Sequence, residues 1–593
     1  MPRRTSRNMA TDTLEALTAW LAAHPDRPLK LRALARELDI ADRDYTSFRA
    51  TVRQALQNGV LVLGAGRTLR LPARQELIGV FRANRRGFGF VELPEGQAYF
   101  VSRARLGGAR DGDTVGIRRL RQRGGEPNRE AEVVRIIERA PLRWVGVLEQ
   151  HRYGWTVQPQ GRNPLPLVTI ENPGAEGSQV GDLVVVEPRE ESLFTRVVRG
   201  RIVERLGDPA DARARVIGVI RRNGLREQFP PRVLHAAQHA AARFDPAELS
   251  GRADLRDLLT VTIDPPDAQD FDDAISVEQL PGGRTRLGVH IADVAHFVPA
   301  GGPVDLEARE RGNSAYFPGH VVPMLPPILS NDACSLRPGE TRLTKSVFIT
   351  YDEAAQVLET RFAASAIRSA ARLNYVEVSA ALAGRPTDIP AGVMPLLRQA
   401  EELARRIRRR RLRSGMLVLT IPEVEVRLDA NGRVVDAGVA ERSFPHTIIE
   451  MFMVEANEAA SRALREAGFE HLRRIHPPPE PEQAEALAQL APLLGHRPPN
   501  VLTRETINRL LDDVRGRPEE PAVNMVLLRS LAQAAYSPAN IGHFALASAD
   551  YCHFTSPIRR YPDLAVHRLL ELALPGSQDG RGADRGHPAR RRP

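Results

Sequence analysis

Four of five carboxylates within ten residues, directly after an apolar β-type run, constrain this chain more than any other feature. In TVTIDPPDAQDFDDAISV (260–277), Asp264, Asp270, Asp272 and Asp273 form a D-x5-D-x-D-D pattern. Asp272 and Asp273 are adjacent, so their repulsion is hard to tolerate unless water or a cation screens it. Hard divalent ions such as Mg²⁺ want oxygen ligands and bind through a few carboxylates plus substrate phosphates. A solvated acidic loop is the plain alternative. A calcium EF-hand would need Gly at its sixth position and Glu at its twelfth. Counted from Asp270, those positions hold Ile275 and Pro281, so that reading fails.

At 593 residues the chain should hold several domains. A hydrophobic share of 42% with 26% charge is ordinary soluble composition. No apolar run reaches the length of a membrane span. MPRRTSRNMATD at the N-terminus lacks the apolar core of a secretory signal. Cys334 and Cys552 are too few for a disulfide framework and lack zinc-site spacing, so two reduced thiols in a cytoplasmic protein are expected.

Charge is uneven along the chain. Residues 1–140 carry 26 Arg and Lys against 16 Asp and Glu, a surplus equal to the whole chain's formal +10. A cationic front suits capture of a polyanion. Lysine occurs only at Lys30 and Lys345; so extreme a ratio reflects composition bias, and arginine enrichment alone argues nothing.

Residues 1–73 read as a winged helix-turn-helix. DTLEALTAWLAA (12–23) has helical apolar spacing, LRALARELDI (31–40) and RDYTSFRATVRQALQNG (43–59) are two more amphipathic candidates, and VLVLGAGRTLRLP (60–72) reads as a hairpin wing turning at Gly64-Ala65-Gly66. Such units usually dock on nucleic acid, though a protein-contact module is an even alternative. Residues 74–140 read as an OB-type barrel. NRRGFGFVEL (84–93) sets Phe88 and Phe90 two apart on a strand, so both rings share a face, with Arg85 and Arg86 upstream and AYFV (98–101) adding another aromatic strand. That is a stacking platform for single strands. Residues 141–207 read as a second barrel, in which GDLVVVEP (181–188) repeats GDTVGIRRL (112–120). Its aromatics, Tyr153 and Trp155, fit core as well as binding. LGDPADARARV (206–216) reads as a linker into a large mixed α+β domain, 208–574, with a long amphipathic helix near 443–467.

The wording of that last domain resembles the RNB family of exoribonucleases, the ribonuclease II and ribonuclease R group. Beside the aspartates stand HIADVAHFV (290–298), GNSAYFPGHVVPMLP (312–326), LSNDACSLRPGE (329–340), SAIRSAARLNYVEV (365–378), NIGHFALA (540–547) and YCHFTSPIRRYPDLAVHR (551–568), in the order the family uses. The front segments fit the ribonuclease R side of the group, with a winged helix and cold-shock-like barrels. The resemblance implies a hydrolytic 3′-to-5′ exoribonuclease that releases nucleoside 5′-monophosphates. Its partner would be single-stranded RNA with a free 3′ end, its metal Mg²⁺, with Mn²⁺ able to substitute, and its state a cytoplasmic monomer. Asp264, Asp270, Asp272 and Asp273 occupy the family's four aspartate positions, with Asp272 catalytic; Asp267 is not one of them. Arg559 matches the arginine near the scissile phosphate, where a fixed fork of donors suits an oxyanion. Arg560 fits a structural ion pair better. Tyr316 matches the tyrosine that stacks on the terminal nucleotide, and Tyr375 a channel tyrosine that reads ribose. His553 receives no role.

Family members continue past this region through further helices, one carrying a glutamate that helps position the terminal nucleotide, and a last OB barrel. Residues 575–593, rich in Gly, Arg and Asp, read as a disordered tail, so the barrel is expected to be absent and the glutamate unmatched. An RNA-binding protein with weak or no nuclease activity is therefore the alternative function. A DNA-binding regulator would rest on the winged helix alone.

Overall fold

The computed structural model describes residues 16–18, 20–21, 24, 29–38, 40–41, 45–57, 61–63, 68–70, 76–84, 87–93, 98–120, 130–139, 143–152, 154–160, 166–189, 197–245, 249–429, 433–439, 443–479 and 503–573. The turn expected at Gly64-Ala65-Gly66, Arg85, Arg86, Tyr153 and the expected tail 575–593 lie outside them. The chain divides into two compact units, 1–143 with 187–193, and 144–186 with 194–593.

The first unit begins with helices Leu31–Glu37 and Tyr45–Gln57 and a three-stranded sheet of Leu29–Lys30, Thr68–Arg70 and Val62–Leu63. Leu17, Leu21, Leu34, Phe48, Val52, Leu61 and Leu69 close over one another as its core. A five-stranded antiparallel sheet follows, in the order Ala98–Val101, Gly89–Glu92, Glu76–Ala83, Thr114–Arg119, Ala131–Glu138. A parallel bridge from Phe100 to Glu130 draws its outer strands together.

The second unit opens with a closed barrel of Gly154–Pro159, Leu167–Ile170, Val197–Gly207, Leu183–Pro188 and Trp144–His151. Trp155 packs against the barrel's core, so it is core rather than platform. The internal repeat is physical. Gly112 and Gly181 both hold positive φ, and their N–H groups donate to Phe81 and Leu148 carbonyls at 2.8 Å. Asp113 and Asp182, next in each copy, are buried and accept from a backbone N–H and an arginine, Arg139 and Arg205 respectively. The expected linker holds the end of a strand, a short turn and, from Ala212, the start of a helix. Ala212–Arg222 is capped by Asp211, whose carboxylate accepts the Arg213 N–H at 2.8 Å, and Gly218 comes close to Leu183 and Val145 of the barrel. The GDPAD turn signal was real; its aspartate caps a helix instead of continuing a loop.

The large domain is built on a seven-stranded sheet ordered Ala253–Leu255, Val357–Arg368, Thr341–Tyr351, Arg284–Ala292, Asp273–Leu280, Val261–Asp264, Ala371–Asn374. Helices Met394–Arg413 and Phe444–Glu466 contribute Leu397, Ile407, Ile448 and Phe452 to one core with Val261, Ile275, Val289 and Val347. A second core gathers Val233, Phe271, Val294, Phe297, Val304 and Leu329. The long helix expected near 443–467 is Phe444–Glu466, and Cys334 and Cys552 are both free and buried. Among the described residues no helix is long and apolar enough to cross a membrane.

Candidate active site

Strand Val261–Asp264 buries Val261, Thr262 and Ile263, and delivers Asp264 at its C-terminal end beside Asn374 of the parallel neighbour. The chain crosses Pro265-Pro266 and re-enters the sheet at Asp273, opposite Ile291. The loop between is pinned from a distance. Ser335 Oγ accepts the Phe271 N–H at 3.0 Å and donates to the Gln269 carbonyl at 2.9 Å, while Leu336 N–H donates to the Phe271 carbonyl at 3.0 Å. Arg372 donates to the Pro265 and Pro266 carbonyls at 3.1 and 2.6 Å and lies over the Phe271 ring. With Phe271 buried, the carboxylates on either side of it are held in place.

Asp272 is 4% exposed, and its Oδ1 accepts the Ile558 N–H at 2.9 Å. Arg559 Nε lies 3.6 Å from its Oδ2, and Arg559 Nη2 donates to Ser556 Oγ at 3.0 Å. Arg560 turns away to Asp563 at 2.6 Å, the structural ion pair expected of it. The 312–314 segment runs alongside, with Ser314 N–H on the Arg559 carbonyl and Tyr561 N–H on the Gly312 carbonyl. That pairing brings Tyr316 to the site, where its hydroxyl donates to Asp270 Oδ2 at 2.8 Å while half of the residue stays exposed. Tyr375 opens helix Tyr375–Leu382 under an Asn374–Glu377 capping box and stacks on His446 at 3.9 Å and 17°. The aspartates, Arg559, Tyr316 and Tyr375 thus gather toward one end of one sheet.

The site is overcharged. Burial, reinforced by the charge of Asp273, pushes Asp264 up to about 8. Burial raises Asp273 to about 6 against the pull of Arg559 and Arg560. Burial drives Asp272 well above the carboxylate range although Arg559 opposes it. Burial, then the charges of Asp273 and Asp264, raises Tyr375 as well, which fits its place beside them. Asp264 Oδ2 is buried with no hydrogen-bond partner. An orphaned oxygen among repelling carboxylates fits a hard cation. Among the described residues, however, no three acidic or histidine groups already converge as a ready-made cage. Asp272 is engaged by Ile558 and Arg559, and Asp270 by the Tyr316 hydroxyl, so these two aspartates are held by separate partners. Mg²⁺ suits so loose a set, because it keeps several waters and takes only one or two carboxylates plus substrate phosphates.

Sequence reasoning missed Ser335, Arg372 and His446 as supports, although Ser335 and Arg372 stand inside the family-like motifs. It also missed Asp293, which is 1% exposed between Lys345 at 2.5 Å and Arg252 at 2.7 Å; against burial, these cations hold its carboxyl well below the usual range. One of only two lysines in the chain, buried, was the available signal.

In the first unit, Phe88 and Phe90 meet edge to face at 5.9 Å, and Phe100 joins them at 5.3 and 5.7 Å. Phe90 is 40% exposed, so the platform is open and has three rings rather than two.

The RNB domain profile matches residues 252–576, the ribonuclease B OB domain profile 79–136 and the cold shock domain profile 157–230. Ribonuclease R of Aquifex aeolicus is 33% identical over 575 residues, covering 96% of this chain and 81% of the relative. Ribonuclease R of Thermotoga maritima is 40% identical over 451 residues, covering 74% of this chain and 63% of the relative. Mycoplasma genitalium RNase R, solved with ribose-methylated single-stranded RNA, superposes with a TM-score of 0.68 at 28% identity, covering 84% of this chain and 79% of that one.

Proposed function

The chain belongs to the RNB family, alongside ribonuclease R, and is a 3′-to-5′ exoribonuclease of RNA degradation; on that premise we propose how its residues perform the reaction. Asp264, Asp270 and Asp273 hold divalent Mg²⁺, with Asp272 completing the acidic set. When bound, the ion supplies an activated water and neutralises charge on the leaving oxygen. Asp272, fixed by the Ile558 N–H, aligns Arg559. The Arg559 fork takes the scissile phosphate oxygens as their charge grows. Tyr316, tethered to Asp270 with an exposed ring, stacks on the terminal base. Tyr375, braced by His446, faces the terminal ribose, where a 2′-hydroxyl separates RNA from DNA. The observation that carries this reading is the acidic cluster of Asp264, Asp272 and Asp273 beside Arg559, whose ionised forms burial disfavours in the absence of a cation.

Phe88, Phe90 and Phe100 capture single strands by stacking, and the first two helices with their small sheet support a winged helix that docks on nucleic acid. Two free buried thiols suit a reducing compartment, so the cytoplasm is the proposed location, with a monomer as the acting form. The test is the product released from single-stranded RNA with a free 3′ hydroxyl in Mg²⁺. Nucleoside 5′-monophosphates are expected, shortening the strand from its 3′ end. Internal fragments, or 3′-monophosphates, would count against the mechanism.

A further inference from the structure

One polar cluster beside the catalytic arginine is left unused by this chemistry. Strand Ala535–Ser537 pairs antiparallel with Arg473–Ile475, which sets Arg474 directly across from Tyr536. The Arg474 guanidinium lies over the Tyr536 ring, 4.8 Å from its centroid. The Tyr536 hydroxyl is 2.7 Å from Nδ1 of His553, and His553 meets Tyr551 edge-on at 5.7 Å. The Arg474 N–H donates to the Tyr551 carbonyl at 2.9 Å. Tyr536 is thus held by its neighbours, yet it is 38% exposed.

Partner by partner, Arg474 differs from the arginines around it. Arg473 pairs with Asp550 at 3.3 Å, Arg560 with Asp563 at 2.6 Å, and Arg559 faces Asp272 at 3.6 Å. Among the described residues no carboxylate pairs with Arg474, and only the Tyr536 ring attends its charge. The Tyr536 hydroxyl and His553 Nδ1 share one hydrogen bond; in the tautomer where the hydroxyl donates, neutral His553 carries its proton on Nε2, which has no hydrogen-bond partner among the described residues. Burial, then the charges of Arg560 and Arg474, keeps that ring neutral by lowering it to about 2. His553 stands three residues before Ser556, whose hydroxyl accepts from Arg559 at 3.0 Å, so the cluster lies close along the chain to the arginine of the proposed site.

A cation lacking an acid, an N–H lacking an acceptor and an exposed ring face are the groups a ribonucleotide recruits. We infer that Arg474, His553 and Tyr536 form a subsite for a ribonucleotide of the substrate strand upstream of the scissile phosphate. Arg474 meets its phosphodiester, the His553 Nε2–H its ribose or phosphate oxygen, and the Tyr536 ring its base. This rests on the reading of Arg559 as the contact to the scissile phosphate.

Fluorescence anisotropy of a labelled single-stranded RNA, titrated across salt concentrations with the full Asp272→Asn chain, tests the subsite without hydrolysis. Adding Arg474→Ala should raise Kd about tenfold. It should also flatten the slope of log affinity against log salt by about 0.7, the share of one phosphate on a single strand. Arg474→Lys should restore the slope, and Tyr536→Leu should weaken binding about tenfold with the slope intact. If Arg474→Ala does not fold, Arg474→Gln gives the same readout. Wild-type Kd and slope in these variants would overturn the subsite. So would weaker binding with an unchanged slope in the Arg474 variant, since that marks a structural role only. The product assay is independent of this result, so failure of the subsite and failure of the nuclease mechanism are distinguishable.

Discussion

Asp272→Asn is expected to lower kcat by roughly 10³-fold or more, the upper range for losing one preorganised electrostatic group. The amide oxygen still accepts the Ile558 N–H, so the loop 264–273 should keep its shape. What disappears is the charge facing Arg559, which Asp270 and Asp273 repel. The same substitution should raise the melting temperature of the metal-free protein, because it removes a buried charge that its neighbours repel. The sign follows from the shifted carboxylates. Asp264 and Asp273 stand at about 8 and 6, above their ordinary range, so their protonated forms favour the fold. The contribution of these two groups in the metal-free protein is therefore fully present below about pH 4 and is lost as pH rises through 6 to 8, by on the order of a few kcal/mol. Melting curves in chelator across that range check both statements. A variant that melts lower than the wild type at pH 8, or that retains a tenth of its kcat, would contradict them.

Arg559→Lys is the second large effect. Lysine keeps the charge but loses the planar fork that reaches Ser556 and Asp272 together. A point charge on a flexible stem cannot hold two phosphate oxygens in the fixed geometry the transition state requires. Single-turnover rates should fall about 10²- to 10³-fold, the cost of removing a preorganised donor from a developing oxyanion. Arg559 is 44% exposed on its side chain, so the fold should be unaffected. A rate within threefold of wild type would reassign Arg559 to a bystander role.

Much of this site is legible in the amino-acid sequence, for reasons that differ by residue. The aspartates announce themselves because adjacent charges after a buried strand have few tolerable environments. Tyr316, Tyr375 and Arg559 are legible only through their motifs, since nothing in local spacing joins positions so far apart. Phe88 and Phe90 can be placed on one face by strand period alone, whereas Phe100 joins them through cross-strand register that no local pattern encodes. The supports are harder still. Ser335 holds a loop more than sixty residues away, and His446 backs Tyr375 from another helix. Such contacts arise when elements pack, and their residue types, a serine and a histidine, have many ordinary uses. The segment 206–216 shows the opposite error, where Gly-Asp-Pro looks like the start of a linker because the capping value of Asp211 depends on the helix that follows it.

On the proposed mechanism, this acidic cluster binds the hard cation used in cleavage. Diffraction from crystals of the full chain soaked in Mn²⁺, collected at the manganese edge, addresses it most directly. An anomalous peak in coordinating contact with carboxylate oxygens of Asp264, Asp270 or Asp273, and lost in Asp264→Ala, is the expected result. Manganese elsewhere with none beside these aspartates would contradict it.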